Sequence, residues 1–151
     1  MLSSSLEKYL TCIYRHLENN SEVRVSDLAR EMNQPLQKTI QALQRMHYQK
    51  LMIYSTYQPL RMTEQGKNMA KYLMARDLLI DEFFTLLHMD ANNEAEKEAM
   101  AQYLSHENLM KIERFVLFNR KYPEIAERFE LLLQISPEET ILPQLPISEK
   151  G

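Results

Sequence analysis

Glycine is nearly absent from this chain, with two in 151 residues. Glycine supplies left-handed turns and the close backbone approach of phosphate-cradling loops. Its scarcity therefore excludes a glycine-rich nucleotide loop. Cysteine is limited to Cys12, which rules out an internal disulfide and fits a reducing, cytoplasmic setting. No apolar run approaches the ~20 residues that cross a bilayer, so no membrane association is expected. The opening MLSSSLEK lacks a basic start followed by an apolar run, and no signal peptide is expected. No nucleophile–base arrangement, zinc motif or internal repeat is evident, and an enzyme is not expected.

What is present is regular apolar spacing in a glycine-poor chain, 44% hydrophobic, which predicts a mostly α-helical fold with a buried core. Of the six prolines, Pro123, Pro137, Pro143 and Pro146 fall in the last thirty residues. The net charge of −3 hides an asymmetry. Residues 1–74 carry ten Lys and Arg against six Asp and Glu, and residues 75–151 carry eight against fifteen. A basic front and an acidic back suggest two roles, although solvated faces produce such splits by chance.

Ser4 and Glu7 fit a capping box for a first helix that buries Leu6, Leu10, Ile13 and Leu17. Val23 and Val25 alternate as in a strand. Ser26 fits the cap of a helix burying Leu28, Ala29 and Met32. Asn33 tolerates a left-handed turn, and Pro35 suits a helix start because it has no amide proton to satisfy there. The next helix is expected to bury Leu36, Ile40, Leu43 and Met46. Its other side then presents Gln37, Lys38, Gln41, Gln44 and Arg45.

This is a helix-turn-helix pattern. Glutamine amides pair with base edges, and Lys38 and Arg45 supply charge for phosphates. Taken alone, such a face reads slightly better as a solvated amphipathic surface than as a DNA-reading one. The residues that follow favour DNA. Two strands, Leu51–Tyr54 and Leu60–Thr63, flank Ser55–Pro59 and would form a wing, with Val23–Val25 as a third strand. Arg61 would then flank the duplex backbone.

Thr63 caps a long helix whose Met69, Ala70, Leu73, Met74, Leu78, Ile80 and Phe83 exceed what a wing needs, which suggests dimerisation, although packing within the chain is equally cheap. Helices are expected over 93–104 and 107–118 with Ser105 as the cap between them, and over 124–133 opened by Pro123. The expected organisation is a winged-helix DNA-binding domain at 1–74, a helical dimerisation domain at 75–133, and an irregular tail at 134–151.

The strings SLEKYLTCIY, EVRVSDLAREM, LMIYSTYQPLRMTEQGK, LLIDEFF and YLS, in this order and spacing, resemble the diphtheria-toxin-repressor family of manganese- and iron-dependent repressors. The manganese transport regulator branch is the most similar, since no SH3-like third domain follows. The resemblance spans roughly Leu6 to Phe129. It implies an N-terminal winged helix on a double-stranded DNA operator, a C-terminal half that forms a homodimer, and manganese or iron bound between them.

The ligand positions of that family fall here on Lys8, Thr11, Asp77, Glu98, Ala101 and Gln102. Only Asp77 and Glu98 remain strong donors, and the Lys8 ammonium repels a dication. No resident cofactor is therefore predicted from these residues. Two readings of Lys8 then stand side by side: it takes the place of the ion beside Asp77 and Glu98, or it points into water and the site has simply decayed. Elsewhere, Asp81, His88, Asp90 and Glu94 offer a scattered donor set. Cys12 reads as a buried thiol, and His16, His47 and His106 show no partner at ligand spacing.

The recognition helix starts with Gln37 and Lys38 where the family usually places Ser or Thr. The wing tip is Gln58-Pro59 where the family usually has glycine after a basic residue. The leading expectation is a homodimeric, DNA-binding transcriptional regulator that is not triggered through the family metal site. Two alternatives are a metal-responsive repressor with a remodelled site and an interaction module that has lost DNA binding.

Overall fold

The computed structural model describes residues 2–146. Seven helices and one short hairpin follow in the order α1 (Ser4–Glu18), α2 (Val25–Glu31), α3 (Leu36–Tyr48), β1 (Met52–Ile53), β2 (Arg61–Met62), α4 (Glu64–Leu86), α5 (Glu94–Tyr103), α6 (His106–Lys121) and α7 (Pro123–Leu133). The mostly α expectation holds, with a winged helix-turn-helix followed by a helical C-terminal half.

Two apolar clusters organise the chain. The first gathers Leu6, Tyr9, Leu10 and Ile13 of α1, Leu28 of α2, Leu43 and Met46 of α3, Met52 and Met62 of the hairpin, and Ala70 and Leu73 of α4. The second gathers Ile80 and Phe84 of α4, Ala101 of α5 and Leu109 of α6. Helix α4, 23 residues long, runs through both. At 1.5 Å per residue it is a rod of roughly 35 Å, long enough to hold the two clusters in a fixed relation.

The helix ends show how local chemistry places these elements. Thr63 accepts from the Gly66 amide and donates to the Lys50 carbonyl, so one hydroxyl both caps α4 and ties it to the turn that leads into β1. Gly66 is needed there, because a Cβ on it would lie 1.8 Å from the Leu51 carbonyl oxygen. Ser105 caps α6 through the Asn108 amide, and Asn93 caps α5 through that of Glu96. Asn33 takes φ 53° between α2 and α3, as its small amide side chain allows.

Several expectations are corrected. Ser3, not Ser4, caps α1, since its hydroxyl accepts from the Leu6 amide. Glu7 therefore does not close a capping box, and its carboxylate is drawn sideways to Arg76 and Gln102. Arg24 precedes α2 with no side-chain cap, and Ser26 lies inside the helix. Val23–Val25 adds no third strand. The sheet is β1–β2 alone, antiparallel with Met52 opposite Met62 and Ile53 opposite Arg61.

In α3 the inward positions are Thr39, Ala42, Leu43 and Met46, whereas Leu36 is exposed. Thr39 is tolerated in the core because its hydroxyl is fully used. It donates to the Pro35 carbonyl and accepts from the Tyr9 hydroxyl at 3.1 Å, which links α3 to α1.

Candidate functional site

Two regions carry the chemistry. The first is the outer face of α3 with the hairpin beside it. Because Thr39, Ala42, Leu43 and Met46 turn inward, helical spacing brings Gln37, Lys38, Gln41, Gln44 and Arg45 outward, and all five are exposed. Arg61 is exposed on β2, one residue before the buried Met62. The face therefore presents donors and acceptors near its start and cationic charge at Lys38 and Arg45.

Two residues that pattern reading passed over extend this face. Tyr48 ends α3 almost wholly exposed, and Tyr57 stands fully exposed at the wing tip with φ 64°. A left-handed tyrosine in a glycine-poor turn is uncommon. The absence of glycine from Ser55–Pro59 was the available signal, since some side chain had to take that conformation. Between the wing and the start of α2 lies a cleft of about 550 Å³, lined in part by Arg24, Ser26, Leu36, Ile40 and Tyr54.

The second region is the cleft where α1, α4 and α5 meet, about 370 Å³ in volume. It is lined by Lys8, Thr11, Asp77, Glu98, Ala101 and Gln102, together with Glu7, Arg76, Asp81 and Lys97. All six positions taken from the family resemblance thus face one cavity.

A bidentate ion pair crosses this cleft. Arg76 donates to the two Glu7 carboxylate oxygens at 3.2 and 2.9 Å, and Gln102 Nε2 donates to Glu7 Oε2 at 2.9 Å. The side chains of Arg76 and Glu7 are only 9% and 11% exposed. Burial alone would lower the Arg76 pKa, but hydrogen bonds to Glu7 and Asp77 outweigh it and hold the guanidinium above its ordinary value.

Lys8 Nζ lies 3.5 Å from Glu98 Oε2, joining α1 to α5. That pair is solvated, with side chains 62% and 44% exposed. The Ser4 hydroxyl also donates to Glu98, and this bond, then the Lys8 charge, holds the Glu98 carboxyl below its usual range. Asp77 accepts from Arg76 rather than from Lys8. The desolvated charge pair of this cleft is thus Glu7–Arg76, adjacent in sequence to the positions the resemblance pointed to.

Thr11 donates back to the Glu7 and Lys8 carbonyls of its own helix. Asp81 is paired with Lys97 Nζ at 2.7 Å, and it is not gathered with His88, Asp90 and Glu94 into a metal-ligating group. Among the described residues one cluster of potential metal ligands does form, elsewhere: Cys12, His16 and Glu31. His16 thus has partners that the sequence reading missed. The signal was the i, i+4 spacing of Cys12 and His16 on α1.

Comparisons with known proteins agree with this architecture. Residues 1–60 match the family model described as "Iron dependent repressor, N-terminal DNA binding domain". The HTH-type transcriptional regulator MntR of Listeria welshimeri is 27% identical over 139 residues, covering 91% of this chain and 98% of that protein. Among solved structures, that of the manganese regulator SloR superposes with a TM-score of 0.64 at 18% identity, covering 78% of this chain and 55% of that one. The structure of the metal-dependent transcriptional regulator MtsR gives 0.63 at 19%, covering 75% and 54%. The chain spans little more than half the length of those two structures. With the winged helix, the second helical half and a relative matched along nearly its whole length, the chain resembles the diphtheria-toxin-repressor and manganese-transport-regulator family, and its front 60 residues carry that family's DNA-binding-domain signature.

Proposed function

We propose that this protein is a homodimeric transcriptional regulator that binds a two-half-site DNA operator without manganese or iron at the family position. The observation that carries the DNA assignment is the outward row Gln37, Lys38, Gln41 and Arg45 on α3, flanked by Arg61 on the wing. A helix of this kind fits a major groove, and its amides and cations are the groups that read base edges and phosphates. The basic excess of the front half supports the same reading.

Dimerisation is supported by apolar surface that α6 and α7 leave uncovered. Phe115, Leu117 and Phe118 are exposed on α6, and α7 buries none of its residues within the chain despite Leu131, Leu132 and Leu133. So many large apolar side chains exposed on two consecutive helices suit a surface that a second copy covers.

The donor set of the cleft does not fit manganese or iron. Ala101 offers nothing, Thr11 and Gln102 offer weak neutral donors, and Glu98 already faces the Lys8 ammonium. Asp77 is occupied by Arg76. A manganese or iron site needs several oxygen or nitrogen ligands converging at ~2.0–2.3 Å, and here two cations hold the carboxylates instead. In this reading Lys8–Glu98 and Arg76–Glu7 fasten the DNA-binding half to the helical half, which is the task that the resemblance assigns to a bound ion.

A second reading, metal-responsive repression through a remodelled site, draws on the carboxylates of Asp77, Asp81, Glu94 and Glu98 that still line the cleft. Sequencing of genomic fragments captured by the purified protein, combined with sedimentation, tests the main reading. A dimer that enriches a two-fold symmetric sequence supports it. A monomer, or no DNA retained even at ~50 mM salt where phosphate attraction is strong, favours an interaction module.

A further inference from the structure

We propose that Cys12, His16 and Glu31 form a binding site for a zinc-class divalent ion that clamps α1 to the end of α2. The ligand-bearing atoms of the three lie within 4.8 Å of one another. Cys12 and His16 are one turn apart on α1, so helix geometry alone stacks them on one face. Glu31 is the last residue of α2. Its carboxylate accepts from His16 Nε2 at 2.6 Å, which aims the imidazole at the same point as the thiol. The site is distinct from the cleft of α1, α4 and α5, for none of its three residues lines that cavity.

The donor types select the ion. Thiolate, imidazole and carboxylate together form a borderline-soft set that suits Zn²⁺ and Co²⁺, whereas Mn²⁺ favours oxygen. Three protein ligands leave a fourth tetrahedral position for water. Cys12 is buried, and the side chains of His16 and Glu31 are 39% and 52% exposed, so one wall is rigid and the other is open to an entering ion.

The His16–Glu31 pair needs little rearrangement. Tetrahedral Zn–N and Zn–O bonds of about 2.1 Å set the nitrogen and oxygen about 3.4 Å apart. His16 and Glu31 therefore need to part by about 0.8 Å from their hydrogen bond, a small rotation for half-exposed side chains. Binding transfers the thiol proton to solvent and requires a neutral imidazole. Burial and the neighbouring Glu31 carboxylate hold the thiol proton in the absence of an ion. A dication reverses that balance by pairing with both anions. Arg15 is the one cation whose charge acts on the thiol, and its side chain is exposed.

The position gives the site a consequence for the fold. Glu31 is followed directly by the Met32–Pro35 turn that sets the start of α3. An ion held here fixes α1 against the first helix of the helix-turn-helix pair at the point where the chain reverses.

The test is a titration of the full chain, reduced and freed of metal by chelator dialysis, with Co²⁺ and then Zn²⁺. The expected result is an intense near-ultraviolet thiolate-to-cobalt absorption, lost in Cys12→Ser and displaced by Zn²⁺. His16→Gln and Glu31→Gln should each weaken Co²⁺ binding by at least about tenfold, the loss that even an outer-shell partner can cause. Asp77→Asn should leave the band and its midpoint unchanged. Glu31 is a surface residue, so its variant reports on the site without a folding defect. Absence of the thiolate band, or a band whose midpoint is the same in Glu31→Gln and His16→Gln as in the parent, overturns the proposal.

Discussion

Replacing Arg76 by methionine removes the cation that crosses the cleft while keeping much of the side-chain volume. The Glu7 carboxylate would keep one donor, Gln102, in a position where its side chain is 11% exposed. Two charge-assisted hydrogen bonds at 3.2 and 2.9 Å disappear, and a desolvated anion remains. Breaking a buried pair from one side typically costs ~3–5 kcal/mol. We take the lower end, about 3 kcal/mol, because Gln102 remains and the rim of the cleft admits water. For a chain of this length that is a fall of roughly 10 °C in Tm, at about 3 °C per kcal/mol. The assay is urea denaturation of Arg76→Met, Glu7→Gln and the double variant. In the double variant no buried charge is left unpaired, because Asp77, which also loses Arg76, is 60% exposed, so the variant should be more stable than the sum of the two single losses implies, by about 2 kcal/mol. A cost below about 1 kcal/mol for Arg76→Met, or strict additivity in the double variant, would refute the claim that this pair fastens the two halves.

Gly66→Ala tests the close approach of α4 to β1. The new Cβ meets the Leu51 carbonyl oxygen at 1.8 Å, a backbone atom that cannot swing away, so a loss of about 3 kcal/mol or more is expected by thermal melting. Lys38→Ala should weaken DNA binding about equally on all sequences and lower the slope of log affinity against log salt by about one unit, whereas an unchanged slope would remove Lys38 from the interface. The Cys12 thiol, pushed up to about 11 chiefly by burial and then by Glu31, should stay protonated well above the usual thiol range. The stability tied to its neutral form is therefore complete below the thiol's ordinary value of 9.0 and is lost as pH rises through about 11. In metal-free protein at pH 9.5, alkylation of the folded chain should be more than about tenfold slower than in urea, and equal rates would show an exposed, ordinary thiol.

How much of this was legible beforehand follows from the range of the forces involved. Helix positions were readable because their causes are local: the Thr63 and Ser105 caps, the left-handed Asn33 and the apolar spacing all act within a few residues. The winged-helix reading survived for the same reason. Errors arose where two local solutions competed. Ser3 and Ser4 are adjacent hydroxyls, and the choice between them depends on Glu98, 94 residues away, which takes Ser4 for itself. Thr39 in the core could not be foreseen from hydropathy, because its burial is permitted by Tyr9 on another helix.

The cleft shows the same limit. Spacing and resemblance brought Lys8 toward Glu98, and the fold places them 3.5 Å apart. They could not reveal that Glu7 and Arg76, one residue away from the inherited positions, form the buried pair, since a single residue rotates a helical side chain by about 100° and burial is settled only by packing. The grouping of Cys12, His16 and Glu31 was half visible as a helical repeat. Its third member comes from α2, and only the tertiary structure supplies it.

The central claim is that the DNA-binding half is fastened to the helical half by side-chain ion pairs and needs no manganese or iron. The most direct test is operator affinity of the chelator-dialysed protein, measured alone, with manganese and with ferrous iron. Equal affinities within experimental error are predicted. A gain of about tenfold or more (roughly 1.4 kcal/mol) with either ion, abolished by Asp77→Asn or Glu98→Gln, would contradict the account.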